Sequence, residues 1–175
     1  MEIKAETRSG CFDQCSVAAG CPPLRDALCR RMSRIHAEKT YLCDELEAIA
    51  DSLPHQVDRL KCLGVANRLI PTLRDAHRYE EEVLFPAFER DSASRAVRIA
   101  TVRRLKSEHV CDEGAADEIT EELMRIGHGG EIDNPEALGF MLRAFFATVR
   151  RHIAFEAEHI FPATRSILAS LAGET

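Results

Sequence analysis

From Leu24 onward the apolar positions recur at alternating steps of three and four, the spacing of a helix buried along one face. No stretch alternates apolar and polar residues as a half-buried strand would. Four long segments carry the pattern. The first runs from about Leu24 to Leu53 and is closed by Pro54; the second runs from about Gln56 to Arg90, with Pro71 as a candidate kink. The third opens near the capping pair Asp91 and Ser92 and continues to about Gly127, where His128, Gly129 and Gly130 break it. The fourth opens at Asn134, with Pro135 in the first helical position, and reaches about Ala169. Connections this short make neighbours antiparallel. The predicted fold is all-α: an up-down-up-down four-helix bundle over residues 23–175, preceded by a short cysteine-containing leader, residues 1–22.

The inward stripe can be written for each segment. The first gives Cys29, Met32, His36, Cys43, Leu46 and Ala50; the second gives Leu63, Ile70, His77, Glu81, Leu84 and Phe88. The third gives Val102, Leu105, His109, Asp112, Ala116, Ile119, Leu123 and Ile126. The fourth gives Leu138, Leu142, Phe145, Val149, His152, Glu156 and His159. Every segment therefore puts a histidine on its apolar stripe. Counted from the turns at about 1.5 Å per residue, the four histidines come to similar heights, with His77 the loosest fit. Buried ionisable groups are costly unless paired or metal-bound, so four at one level suggest one shared purpose.

Composition narrows the choice of purpose. The chain has 175 residues, 45% hydrophobic and 30% charged, enough for one sizeable core. Its formal net charge of −6 argues against nucleic-acid binding, which needs a basic surface. The opening MEIKAETRSG lacks the apolar core of a signal peptide, and no run of 18 apolar residues exists, so no membrane partner and a cytoplasmic location are expected. Seven cysteines, an odd and scattered number, read as thiols rather than a disulfide framework. Cys29 and Cys43 share the stripe of His36 as small core residues, while Cys11, Cys15 and Cys21 lie in the leader, where exposed thiolates could be redox-active.

The spacing supplies the chemistry. His77 and Glu81 are four apart, as are His152 and Glu156, which sets each pair on one helix face within reach of one metal. With His36 and His109 they make four imidazoles and two carboxylates. Six such donors suit two iron ions bridged by glutamates, with positions left for water or a small gas; manganese is the other metal these donors allow. The surroundings repeat: His77 leads to Phe85-Pro86, and His152 leads to Phe161-Pro162. The two halves thus read as duplicated helical hairpins. Counting back from Phe-Pro, Glu80 rather than Glu81 matches Glu156, so Glu80 is the alternative ligand. His159 is a further candidate, as an extra ligand, a partner of a liganding group, or a buried neutral histidine. Asp112 or Glu113 could hydrogen-bond a liganding histidine, with Glu113 the more solvated, and His55 and His128 fall in loops.

These residues together, His36, His77-x3-Glu81 with its Leu-Phe-Pro tail, His109, and His152-x3-Glu156 with Ile-Phe-Pro, resemble the hemerythrin-like family, also called the HHE cation-binding family. The resemblance covers roughly residues 24–170. It implies a di-iron centre in a four-helix bundle that binds oxygen or nitric oxide, for sensing, storage or stress response, with that small diatomic molecule as partner. It points to a binding protein more than a turnover enzyme. Two departures separate the chain from the oxygen carriers: Glu113 stands where they have a second histidine, and the acid of the last segment is a glutamate at four residues rather than an aspartate at five. The four-histidine, two-glutamate set is similar to the branch that repairs iron–sulfur clusters, which makes iron donation the alternative role. A di-iron oxidase or peroxide-consuming enzyme is the third.

Overall fold

The computed structural model describes residues 23–90 and 94–171. Four helices account for almost all of them. Helix α1 is Pro23–Ser52. Helix α2 runs without a break through an α-helical stretch, Arg59–Tyr79, one wide π turn, Glu80–Leu84, and a last α-helical turn, Phe85–Phe88. Helix α3 is Arg95–Gly127. Helix α4 repeats the plan of α2: Pro135–Phe155, a π turn at Glu156–Ile160, then Phe161–Leu171. Each helix packs on the next, and α1 closes the ring against α4, which is the expected up-down-up-down bundle.

The termini follow local chemistry. Asp58 caps α2, its carboxylate accepting from the amides of Leu60 and Lys61 at 2.9 and 3.1 Å. Asn134 caps α4 by accepting from the amide of Ala137 at 3.0 Å, and Pro135 takes the first helical position, as expected. Gly129 has φ +103°, a value other residues rarely adopt, and turns the chain after α3. The helix continues through Pro71. The expected caps Asp91 and Ser92, like the leader with Cys11, Cys15 and Cys21, lie outside the described residues.

The inward stripes of α1 and α3 are those read from the sequence, with every named position buried. In the first half of α2 the stripe is shifted by one residue: Cys62, Val65, Ala66, Leu69 and Leu73 are buried, whereas Leu63 and Ile70 only flank the core. Both sets recur at helical spacing, and packing against α3 selects the first. The buried apolar residues form two separate clusters. One spans the half of the bundle from Leu42, Leu46, Leu69 and Leu123 to Leu142 and Phe146. The other holds Leu28, Met32, Leu84, Phe85, Leu105, Ile160 and Phe161. A polar layer lies between them.

Leu142 is fully buried in the larger cluster. Replacement by alanine should destabilise the bundle by about 2–5 kcal/mol through lost burial and a residual cavity. Urea denaturation of the metal-free protein, with an unchanged slope and a lower midpoint, is the expected result.

Candidate metal centre

The polar layer consists of His36 and Lys39 from α1, His77 and Glu80 from α2, His109 and Asp112 from α3, and His152 and Glu156 from α4, all buried. Polar groups at such depth must find partners or a cation. The layer offers two groups of three donors: His77, Glu80 and His109, and Glu80, His152 and Glu156. Within each group the donor atoms lie within 4.8 Å of one another, and Glu80 belongs to both.

Five of the six expected residues, His36, His77, His109, His152 and Glu156, point into this layer. Glu81 does not. Its side chain is 34% exposed, while Glu80 is fully buried and takes the inward place. The π turn explains the correction. The carbonyl of Glu80 accepts from the amide of Phe85, and that of Glu156 accepts from the amide of Phe161, five residues on. In a plain α-helix five residues make about 1.4 turns, so glutamate and phenylalanine would face different ways. The wider turn puts both inside. Pro86 and Pro162, with no N–H to offer the regular ladder, follow at once. The inward acid is therefore set by its distance to Phe-Pro, not to the histidine. The same turn carries His159 out of the layer: its side chain is 60% exposed and rests on the ring of Phe155. His36 enters the layer but outside both groups of three, donating from Nε2 to Oε2 of Glu156 at 3.0 Å.

A second ring of carboxylates holds the histidines from outside. His109 Nδ1 donates to Glu81 at 2.8 Å, and His77 Nδ1 donates to Glu113 at 2.9 Å. These two bonds cross between α2 and α3 in opposite directions. His152 Nδ1 lies 3.3 Å from Glu108, close but poorly aligned for a hydrogen bond. A carboxylate on Nδ1 fixes the ring and turns Nε2 towards a metal position. Glu113, expected to be solvated, thus serves the histidine of the neighbouring helix. Asp112 is buried, and burial pushes its carboxyl up.

The electrostatics of the layer are built around Lys39, which sequence reading passed over. Its Nζ donates to Oε1 of Glu80 at 3.1 Å and lies 3.9 Å from Oε2 of Glu156. Burial alone would lower its pKa, but Glu80 and Glu156 turn the shift upward. For Glu80, burial and the nearby Glu156 push upward; Lys39 and His109 outweigh them and hold the carboxyl below its usual range. Glu156 is held well below that range against burial, chiefly by Lys39 and by His152 and His36. Burial, and then His109 stacked on it at 3.9 Å, push His77 down to about 4, so its ring is neutral and a lone pair is available. His109 is desolvated too, yet Glu80 and then Glu81 turn its shift upward. The sequence did hold a sign of Lys39. The stripe of α1 steps from His36 directly to Cys43, and the missing turn is the one Lys39 occupies.

Donor chemistry fits a cation. Four buried atoms, Oε2 of Glu80, Nε2 of His109, Nε2 of His152 and Oε1 of Glu156, make no hydrogen bond and are divided between the two groups of three, with Glu80 in both. Two nitrogens and two oxygens without thiolate suit iron or manganese. The hemerythrin HHE cation-binding domain matches residues 28–164. The chain belongs to this family. Neither curated proteins nor solved structures give a significant match. In this HHE domain the buried cysteines Cys29, Cys43 and Cys62 lie outside both groups of metal donors, and burial pushes the Cys43 thiol up to about 11. Cys111 is exposed. No helix among the described residues is long and apolar enough to cross a membrane.

The two adjacent glutamates should separate in metal binding. Glu80→Gln removes a donor common to both groups and should abolish tight binding of ferrous iron. Glu81→Gln leaves the donors in place and should weaken it by about 10–100-fold through a less firmly held His109. Competition against a chromophoric chelator under anaerobic conditions measures both; equal losses would contradict the placement.

Proposed function

We propose that this HHE domain is a non-haem iron protein that binds oxygen or nitric oxide. The observation that supports the reading best is the pair of buried three-donor groups that share Glu80, a donor number that leaves coordination positions for a small molecule. His77, Glu80, His109, His152 and Glu156 would hold the iron, with Glu81 and Glu113 orienting His109 and His77. When bound, iron would supply an open coordination position for a diatomic ligand.

The surrounding residues suit binding more than turnover. Met32, Leu105, Phe145 and Val149 are buried on the stripes above and below the layer and keep bulk water out. A recess of about 300 Å³ is lined by Glu81, Phe85, Val102 and Lys106, and Glu81 touches His109 directly. It is sized for small molecules rather than for a large substrate. The repair role would draw on Cys11, Cys15 and Cys21, which lie outside the described residues, so nothing in the bundle adds to it.

Anaerobic ferrous protein should develop new visible absorption bands on addition of nitric oxide or oxygen, and Glu80→Gln should lose them. A spectrum indifferent to both gases would overturn the reading while leaving the cation centre intact.

A further inference from the structure

The bonds that hold His77 and His109 from outside continue one step further, to the surface. We infer that Arg74 and Lys106 are positioning residues of the centre, acting on its histidines through Glu113 and Glu81. The inference rests on the reading of the layer as a cation centre and not on which small molecule it binds.

Helices α2 and α3 carry one pattern twice. A base, a histidine three residues on and a glutamate four beyond it read Arg74, His77 and Glu81 on α2, and Lys106, His109 and Glu113 on α3. At that spacing the base and the histidine share a helix face. The two helices pack antiparallel, and each grips the glutamate of the other. Glu113 accepts from His77 Nδ1 on Oε1 at 2.9 Å and from Arg74 Nε on Oε2 at 3.2 Å. Glu81 accepts from His109 Nδ1 on Oε1 at 2.8 Å, and its Oε2 lies 3.4 Å from Lys106 Nζ. One oxygen of each carboxylate thus serves the histidine and the other serves the base. The two rings meet between these clamps, stacked with centroids 3.9 Å apart and planes 5° from parallel.

The bases matter because the carboxylates are not enclosed. Glu113 and Glu81 are 31% and 34% exposed. Held at one oxygen only, either could turn about that bond towards water. A second anchor fixes the carboxylate plane, and with it the line of the Nδ1–H bond and the aim of Nε2. The ion pairs stabilise the fold little, because Arg74 and Lys106 are themselves 56% and 46% exposed. Their effect is on orientation. His152 supplies the contrast. Its outer acid, Glu108, stands 3.3 Å from Nδ1 without forming a hydrogen bond, and is paired with Arg104 of its own helix at 3.2 Å. The place three residues before His152 is Val149, buried in the apolar core, so α4 has no base there to brace the contact.

Two measurements on the full chain test this: ferrous affinity, by anaerobic chelator competition, and the proton magnetic resonance spectrum of the metal-free protein. Lys106→Gln and Arg74→Gln should each weaken binding about two- to fivefold, the range open to an exposed pair. Lys106→Arg and Arg74→Lys should restore it. In a Glu81→Gln background, Lys106→Gln should have no further effect, because its route to His109 is gone. In the metal-free protein the hydrogen-bonded Nδ1 protons of His77 and His109 should resonate far downfield. Lys106→Gln should speed exchange of the His109 proton with water, and Arg74→Gln that of the His77 proton. A lysine acting by charge alone would repel the ion, so tighter binding by Lys106→Gln would overturn the inference. Equal losses with and without Glu81, or unchanged proton exchange, would also overturn it. Each of these outcomes leaves the cation centre standing; a wild type that takes up no ferrous iron removes both.

Discussion

Two carboxylates with no exposed surface, Glu80 and Glu156, set the terms for the middle of this bundle. Isolated in an apolar core, either would favour its neutral form or weaken the fold. Both are instead held ionised chiefly by Lys39, with histidines of α1, α3 and α4 beside them. The demand explains why one turn of each helix gives up an apolar residue at the same height, and why the hydrophobic core is divided in two.

Precision comes from bonds that cross between helices rather than from spacing within one. Glu81 on α2 holds His109 on α3, and Glu113 on α3 holds His77 on α2. Such a reciprocal pair resists both sliding and rotation of the two helices. The part-exposed outer glutamates therefore matter to the buried layer although they lie at its edge.

Much of this was legible in the residues and some was not, for definite reasons. The stripes of α1 and α3 have apolar residues with clear polar flanks, and periodicity recovered them. In α2, Leu63 and Ile70 are as apolar as Cys62 and Leu69, so pattern alone had no way to choose. In an unbroken α-helix Glu81 rather than Glu80 shares the face of His77, and His159 faces inward; the π turns change the count. Lys39 escaped because lysine is rarely buried, even though the rhythm of α1 left a gap for it. Glu113 was read against its own helix, whereas its partner sits on the next.

The buried lysine also bears on the order of events in the life of the protein. Many small metal sites cannot fold empty, because their ligands repel one another or lack partners until the metal arrives. Here Lys39 gives Glu80 and Glu156 a counter-charge. The empty bundle is electrically close to settled. It can be made first and filled later, so that a cation arrives at a finished receptacle and its departure need not undo the chain.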